Sequence, residues 1–214
     1  MADLYEIDVT NDAFIDSVVL SKQGGSQYLN IGVTIGKSTF VRRSLLRFSL
    51  SSLPTGFHVT TAELWMYCTT AAASAAQVDA HAFEYMSGQI IVSPAGVQWV
   101  EANVTWNNWD DGNAWSTPGG DFNSSSFASG NLPTATGDTK LIEGSGLIDY
   151  INDFCIAYGR SPNFILKRFV EGWPAANAIF ASRENVTYDG PRLKLWGVAP
   201  VNVKEGQILG ANIL

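Results

Sequence analysis

The chain has 214 residues, of which 46% are hydrophobic and 15% charged, and carries a net charge of −7. That much apolar side chain excludes a disordered polypeptide, and the acidity excludes a protein that binds nucleic acid by neutralising phosphates with Lys and Arg. Seven Trp, seven Tyr and eleven Phe beside twenty Gly and eight Pro mix strand formers with turn formers, at a length that suits one large β domain.

In chain order, Tyr5, Ile7 and Val9 alternate apolar with polar positions, the two-residue period of a strand. Strand patterns follow at Ala13 to Leu20, Tyr28 to Val33 and Ser38 to Leu50. Next, Ala62, Leu64, Met66 and Cys68 share one face, with Trp65 and Tyr67 on the other. Val78 to Met86 and Val97 to Trp106 read as further strands, bounded like the others by Gly, Pro, Asn or Ser. The stretch from Trp106 to Thr139 is polar and rich in Gly and Ser, and reads as a long connection of the kind that often carries function.

From Leu147 the apolar positions Ile151, Phe154, Cys155 and Tyr158 follow a helical spacing. They predict a single amphipathic helix of about three or four turns, capped by Ser145, ended by Gly159 and covering an open end of the sheets. Strands resume at Asn163 to Phe169, Ala178 to Arg183 and Pro191 to Gly197. The expected fold is all-β, a jelly-roll-like antiparallel β-sandwich with one short amphipathic helix, over residues 1–197. Residues 198–214, ending in Ile208, Leu209, Ile213 and Leu214, are expected to dock as a tail on the domain or a neighbouring subunit.

No catalytic constellation stands out. His58 and His81 are the only histidines and lie in no ligand cluster, which argues against a zinc enzyme. A G-x-S-x-G nucleophile motif is absent. Gly24-Gly25-Ser26 and Gly119-Gly120 lack the Lys of a phosphate loop. Cys68 and Cys155 are expected to be buried free thiols, with a disulfide as the alternative. Glycoside hydrolysis would need two carboxylates facing each other across a sugar, and the available set is Glu101, Asp110, Asp111 and Glu184. Glu101 and Glu184 read instead as structural charge pairs with Arg47 and Arg183.

The segment from Trp106 to Trp115 offers binding chemistry. Indole faces stack on sugar rings while amides and carboxylates bond hydroxyls, so Trp106, Asn108, Trp109, Asp110, Asp111 and Trp115 are candidate carbohydrate-binding residues. The competing reading is a long turn, with Trp106 in the core and Trp109 or Trp115 holding the loop down. Asp110, Asp111 and Asn113 could gather around calcium, but the twelve-residue calcium loop with its closing Glu is missing. No metal and no cofactor are assigned.

Several blocks carry a family resemblance: Arg42 to Pro54, Val59 to Tyr67, Trp99-Val100-Glu101, Val104 to Asn107, Asn163 to Leu166, Phe180 to Glu184 and Pro191-Arg192-Leu193. Together they resemble the DNRLRE domain, a β-sandwich module related to the disaggregatase-related repeat and to a family of carbohydrate-binding modules. The resemblance implies an adhesive or glycan-binding unit without catalytic residues. Neither a leader pattern nor a membrane-spanning apolar run is present. The leading expectation is therefore a non-enzymatic bacteriophage virion protein, a capsid decoration or tail-associated component. It would be oligomeric, assembled in the host cytoplasm, and partnered by virion subunits rather than nucleic acid or membrane. The alternative is a carbohydrate-binding adhesion module of an extracellular or cell-surface system, with polysaccharide as partner.

Overall fold

A computed structural model describes residues 2–83 and 99–200. Its main sheet contains β1 (Asp3–Asp16), β2 (Tyr28–Ile35), β3 (Thr39–Phe48), β4 (His58–Thr70) and β5 (Gln77–Ala82). A small hairpin, β6 (Asn108–Asp110) and β7 (Asn113–Ala114), stands apart from it. The main sheet continues with β8 (Ala128–Asn131), β9 (Gly137–Glu143), β10 (Asn163–Arg168), β11 (Ala176–Ala181) and β12 (Arg192–Val198).

The expected β-rich fold with one short helical segment is observed, but the strands do not divide into two separate sheets. β1, β12, β4, β9, β8, β5, β10 and β3 pair in that order and β3 pairs back onto β1, so eight strands close into a barrel. β11 and β2 make a second bridge between β4 and β3. Closure depends on long strands that change partner. β1 pairs with β12 from Asp3 to Asp8 and with β3 from Val9 onward, with a register shift between Val9 and Asn11. A bulge of this kind bends a strand and lets it leave one neighbour for another.

The alternation seen in the sequence becomes inside and outside. Val59, Ala62, Leu64, Met66 and Cys68 of β4 enter the main core with Leu46, Phe48, Phe164, Leu166 and Phe180. A second, smaller core lies on the other side of the same strands: Ala13, Ile15, Leu45 and Ile165 meet Phe83, Trp99, Val104 and Trp115. Leu45 and Leu46 are therefore both buried although they point to opposite faces. β1, β3 and β10 are covered on both sides here, which accounts for their near-continuous apolar runs.

Several expected elements differ. Tyr5 to Val9 and the start of Ala13 to Leu20 join as β1, and Val18, Val19 and Leu20 fall after its end, exposed. Residues 99–106 form a turn instead of a strand, with the Val104 N–H bonded to the Val100 carbonyl at 2.8 Å. The Trp106 to Thr139 connection contains β6, β7, β8 and the start of β9. Positions 84–86 and 97–98 of two expected strands, and 201–214 of the expected tail, lie outside the described residues. Before that point, Ala199 packs against the main core.

The helical segment falls where the spacing placed it. α1 (Ser145–Asp149) runs into wider π-type turns over Tyr150–Ile156. Leu147, Tyr150, Ile151 and Cys155 are buried, with Tyr150 stacked on Phe127 at 4.2 Å. The expected Ser145 cap is not formed: Gly144 occupies the N-cap, and no side chain bonds there. Gly159 does end the segment, at φ 63°. Its N–H bonds the Ile156 carbonyl and that of Arg160 bonds Cys155, the paired pattern of a glycine-terminated helix.

Candidate functional site

The Trp106 to Trp115 segment folds down as the cover of the second core. Trp115 is buried, stacks on Phe83 at 5.7 Å and donates Nε1–H to the Thr105 carbonyl at 3.0 Å. Trp106 and Trp109 are partly buried against the same cluster, and the Arg43 guanidinium lies 4.8 Å over the Trp106 ring. Asn108 pairs with Ala114 across the β6–β7 hairpin and donates its N–H to Thr105 Oγ1 at 3.0 Å. Asp110 Oδ1 accepts from Asn103 Nδ2 and from the Asp111 N–H. Those donors, Asn103 first, hold its carboxyl below the usual carboxylate range. Asp111 pairs with Lys22 at 2.6 Å. The Asp110 and Asp111 carboxylates are engaged in the segment's own turns and ion pair.

Three of the four charged residues read as structural pairs, Glu101, Arg183 and Glu184, gather where this cover meets β1. Arg183 grips both oxygens of Glu101, at 2.9 Å each, and reaches Glu184 Oε1 at 2.8 Å. The Glu101 bond, first among the causes, raises the Arg183 pKa. Arg47 lies apart from the carboxylates, stacked 4.8 Å over Trp99 with Nη2 bonded to its carbonyl at 2.8 Å. The pattern reading missed Asp12 of β1, which is 1% exposed. Its backbone N–H donates to Glu101 Oε1 at 2.7 Å, and its Oδ2 accepts the Arg183 N–H at 2.9 Å.

An open surface lies beyond the edge of the cover. β5 and β10 place Lys167 directly opposite Asp79, and Ile165 opposite His81. Asp79, His81 and Lys167 thus share the outer face, and with Ser124, Ser125, Ser126 and Phe169 they line a groove of about 440 Å³. His81 Nδ1 bonds the Asn123 carbonyl at 2.8 Å, which makes it the protonated nitrogen of a neutral ring. Burial, the largest cause, holds the His81 pKa below 6.5, so Nε2, which has no partner among the described residues, is left as an acceptor.

The β10–β11 connection, which leaves this groove at Phe169, projects two aromatic rings: Phe169 is 61% exposed and Trp173 is 78% exposed. The connection is anchored from beneath. Arg168, buried, donates to the carbonyls of Gly172 and Pro174. Glu171 receives both Arg43 Nε at 2.7 Å and Arg43 Nη2 at 2.5 Å. The anchoring holds both rings out in water, outside either core. Trp173 lies in Gly172-Trp173-Pro174, a turn signal between two strands. An aromatic residue at a turn was the clue available in the sequence.

A closed β-rich domain with an anchored aromatic platform and a polar groove belongs to the class of binding modules. The comparisons agree with that class: the family model for carbohydrate-binding module family 96 matches residues 4–118. The match covers more than half of the chain, and the protein belongs to this family. No curated protein matches it.

Proposed function

We propose that the protein is a non-catalytic carbohydrate-binding module. In this reading a polysaccharide lies along the groove between β5 and β10, with Phe169 and Trp173 against its ring faces. The exposed hydroxyls of Ser124 to Ser126 are the hydrogen-bonding partners, above a groove floor of Lys167, Asp79 and His81. Trp173 carries the proposal: a 78%-exposed indole on an anchored connection, in a chain whose family is defined by glycan binding. Stacked aromatic contacts contribute affinity and leave the choice of sugar to the surrounding polar groups.

The expected role in a virion or a homo-oligomer draws no support from the family match, whereas the polysaccharide partner does. Affinity electrophoresis through gels containing neutral or acidic polysaccharides tests the proposal. At least one polysaccharide should retard the wild-type protein, and Phe169→Ala with Trp173→Ala should weaken binding about tenfold or more. Tyr188→Ala, which alters a different groove shared with Tyr28, should leave retardation unchanged. No retardation by any polysaccharide would remove the function, and equal retardation of the double variant would remove the site.

A further inference from the structure

We propose that Asp12, Glu101 and Glu184 form a calcium site that ties the tryptophan-rich cover to the barrel. The inference goes beyond glycan binding and does not rest on it.

The three carboxylates come from separate parts of the chain: β1, the turn at the start of the cover, and the connection after β11. One oxygen of each lies within 4.8 Å of the others. That spacing is inside the span of two calcium–oxygen bonds of about 2.3–2.6 Å, and an all-oxygen donor set selects a hard cation. Two of the three also carry an unsatisfied oxygen. Asp12 is 1% exposed, yet its Oδ1 has no hydrogen-bond partner, and neither has the buried Glu184 Oε2.

Buried carboxylate oxygens of this kind need a proton, a donor or a cation. Arg183 binds Glu101 through both oxygens, offsetting one negative charge. Arg47 offsets a second through space from Glu101. Asp12 and Glu184 keep the remaining excess between them. Ionised, the two carboxylates have no proton to share between Asp12 Oδ1 and Glu184 Oε2. A divalent cation satisfies both oxygens at once, while Glu101, whose oxygens accept from Arg183, the Asp12 N–H and Asn11 Nδ2, would exchange one of those bonds for a bond to the ion. Water would complete the six to eight oxygens that calcium takes.

The position gives the ion a structural task. Beyond the three ligands, the β1–β2 connection meets the same point: a Cβ on Gly24 would fall 1.8 Å from the Glu101 carbonyl oxygen. Calcium would therefore fasten three chain segments around one buried charge cluster, with the β1–β2 connection packed against one of them.

The test uses the full chain, dialysed against a chelator and titrated with calcium chloride by calorimetry and thermal melting. One-site binding is expected, with a melting temperature rise on the order of 5–10 °C at roughly a hundredfold excess over Kd. Glu184→Gln should weaken calcium binding at least about tenfold, and Asp12→Asn, which keeps an oxygen acceptor for the Arg183 N–H, should do the same. Asp110→Asn with Asp111→Asn, at the other oxygen-rich turn, should titrate like wild type. Absence of binding heat and of a melting shift in the wild type would overturn the proposal. So would Glu184→Gln and Asp12→Asn variants that fold and bind calcium as the wild type does.

Discussion

Trp115→Ala separates the two roles that tryptophan plays in this molecule. Trp115 is 7% exposed, packs in the second core and donates Nε1–H to the Thr105 carbonyl. A tryptophan side chain buries on the order of 200 Å², worth about 5 kcal/mol at roughly 25 cal/mol per Å². Truncations of this type cost about 3–5 kcal/mol in practice. For a chain of this length the melting temperature should fall by about 6–20 °C. Trp173→Ala, at a 78%-exposed position, should change stability by no more than about 0.5 kcal/mol while weakening glycan retardation. Paired thermal melts and affinity gels on both variants read the two effects separately. If Trp115→Ala melts like wild type and loses glycan affinity, the assignment of cover and platform is reversed and the reasoning fails.

His81 is held neutral by burial below its ordinary value of 6.5. A depressed histidine contributes stability above the unfolded pKa and loses it as pH falls through that value. His81→Gln should therefore flatten the fall in melting temperature below about pH 6.5, seen as a shrinking difference between the two melting curves on acidification. Cys68 and Cys155 are buried, and burial raises the Cys68 thiol pKa. A thiol reagent should label neither cysteine in the native protein and both in denaturant; rapid native labelling would contradict the packing.

The two-residue rhythm made most of the sheet legible, and β4 shows why. Its inner side chains Leu64, Met66 and Cys68 are buried, while Trp65 and Tyr67 are only half-buried. Where both faces are covered the rhythm fades, and Val97 to Trp106 was mistaken for a strand because Trp99 and Val104 are apolar for a different reason. They belong to a turn that caps Leu45 and Ile165. β8 and β9 were hidden for the opposite cause. Ala128-Ser129-Gly130-Asn131 has little apolar content, and Gly130 is required because a Cβ there would fall 1.8 Å from the Leu141 carbonyl oxygen. The π-type turns also escaped detection, since Leu147, Ile151 and Cys155 recur every fourth residue and that spacing serves either helix.

The candidate surface follows from the same two-sided packing. Leu45, Ala13, Ile15 and Ile165 make the outer face of β1, β3 and β10 apolar, so something must cover it, and the tryptophans between Trp99 and Trp115 do so. Tryptophan-rich composition next to Asn and Asp therefore signals a lid here, although the same residues would serve a sugar site if exposed. On β5 and the far end of β10 the outer face changes from Ile165 to Asp79, His81 and Lys167. At that boundary the apolar cover ends and a polar groove begins, edged by Phe169. Composition could not locate this boundary, because it depends on which residues strand pairing places side by side. Asp79 and Lys167 are 88 positions apart in the chain and directly opposite in the sheet.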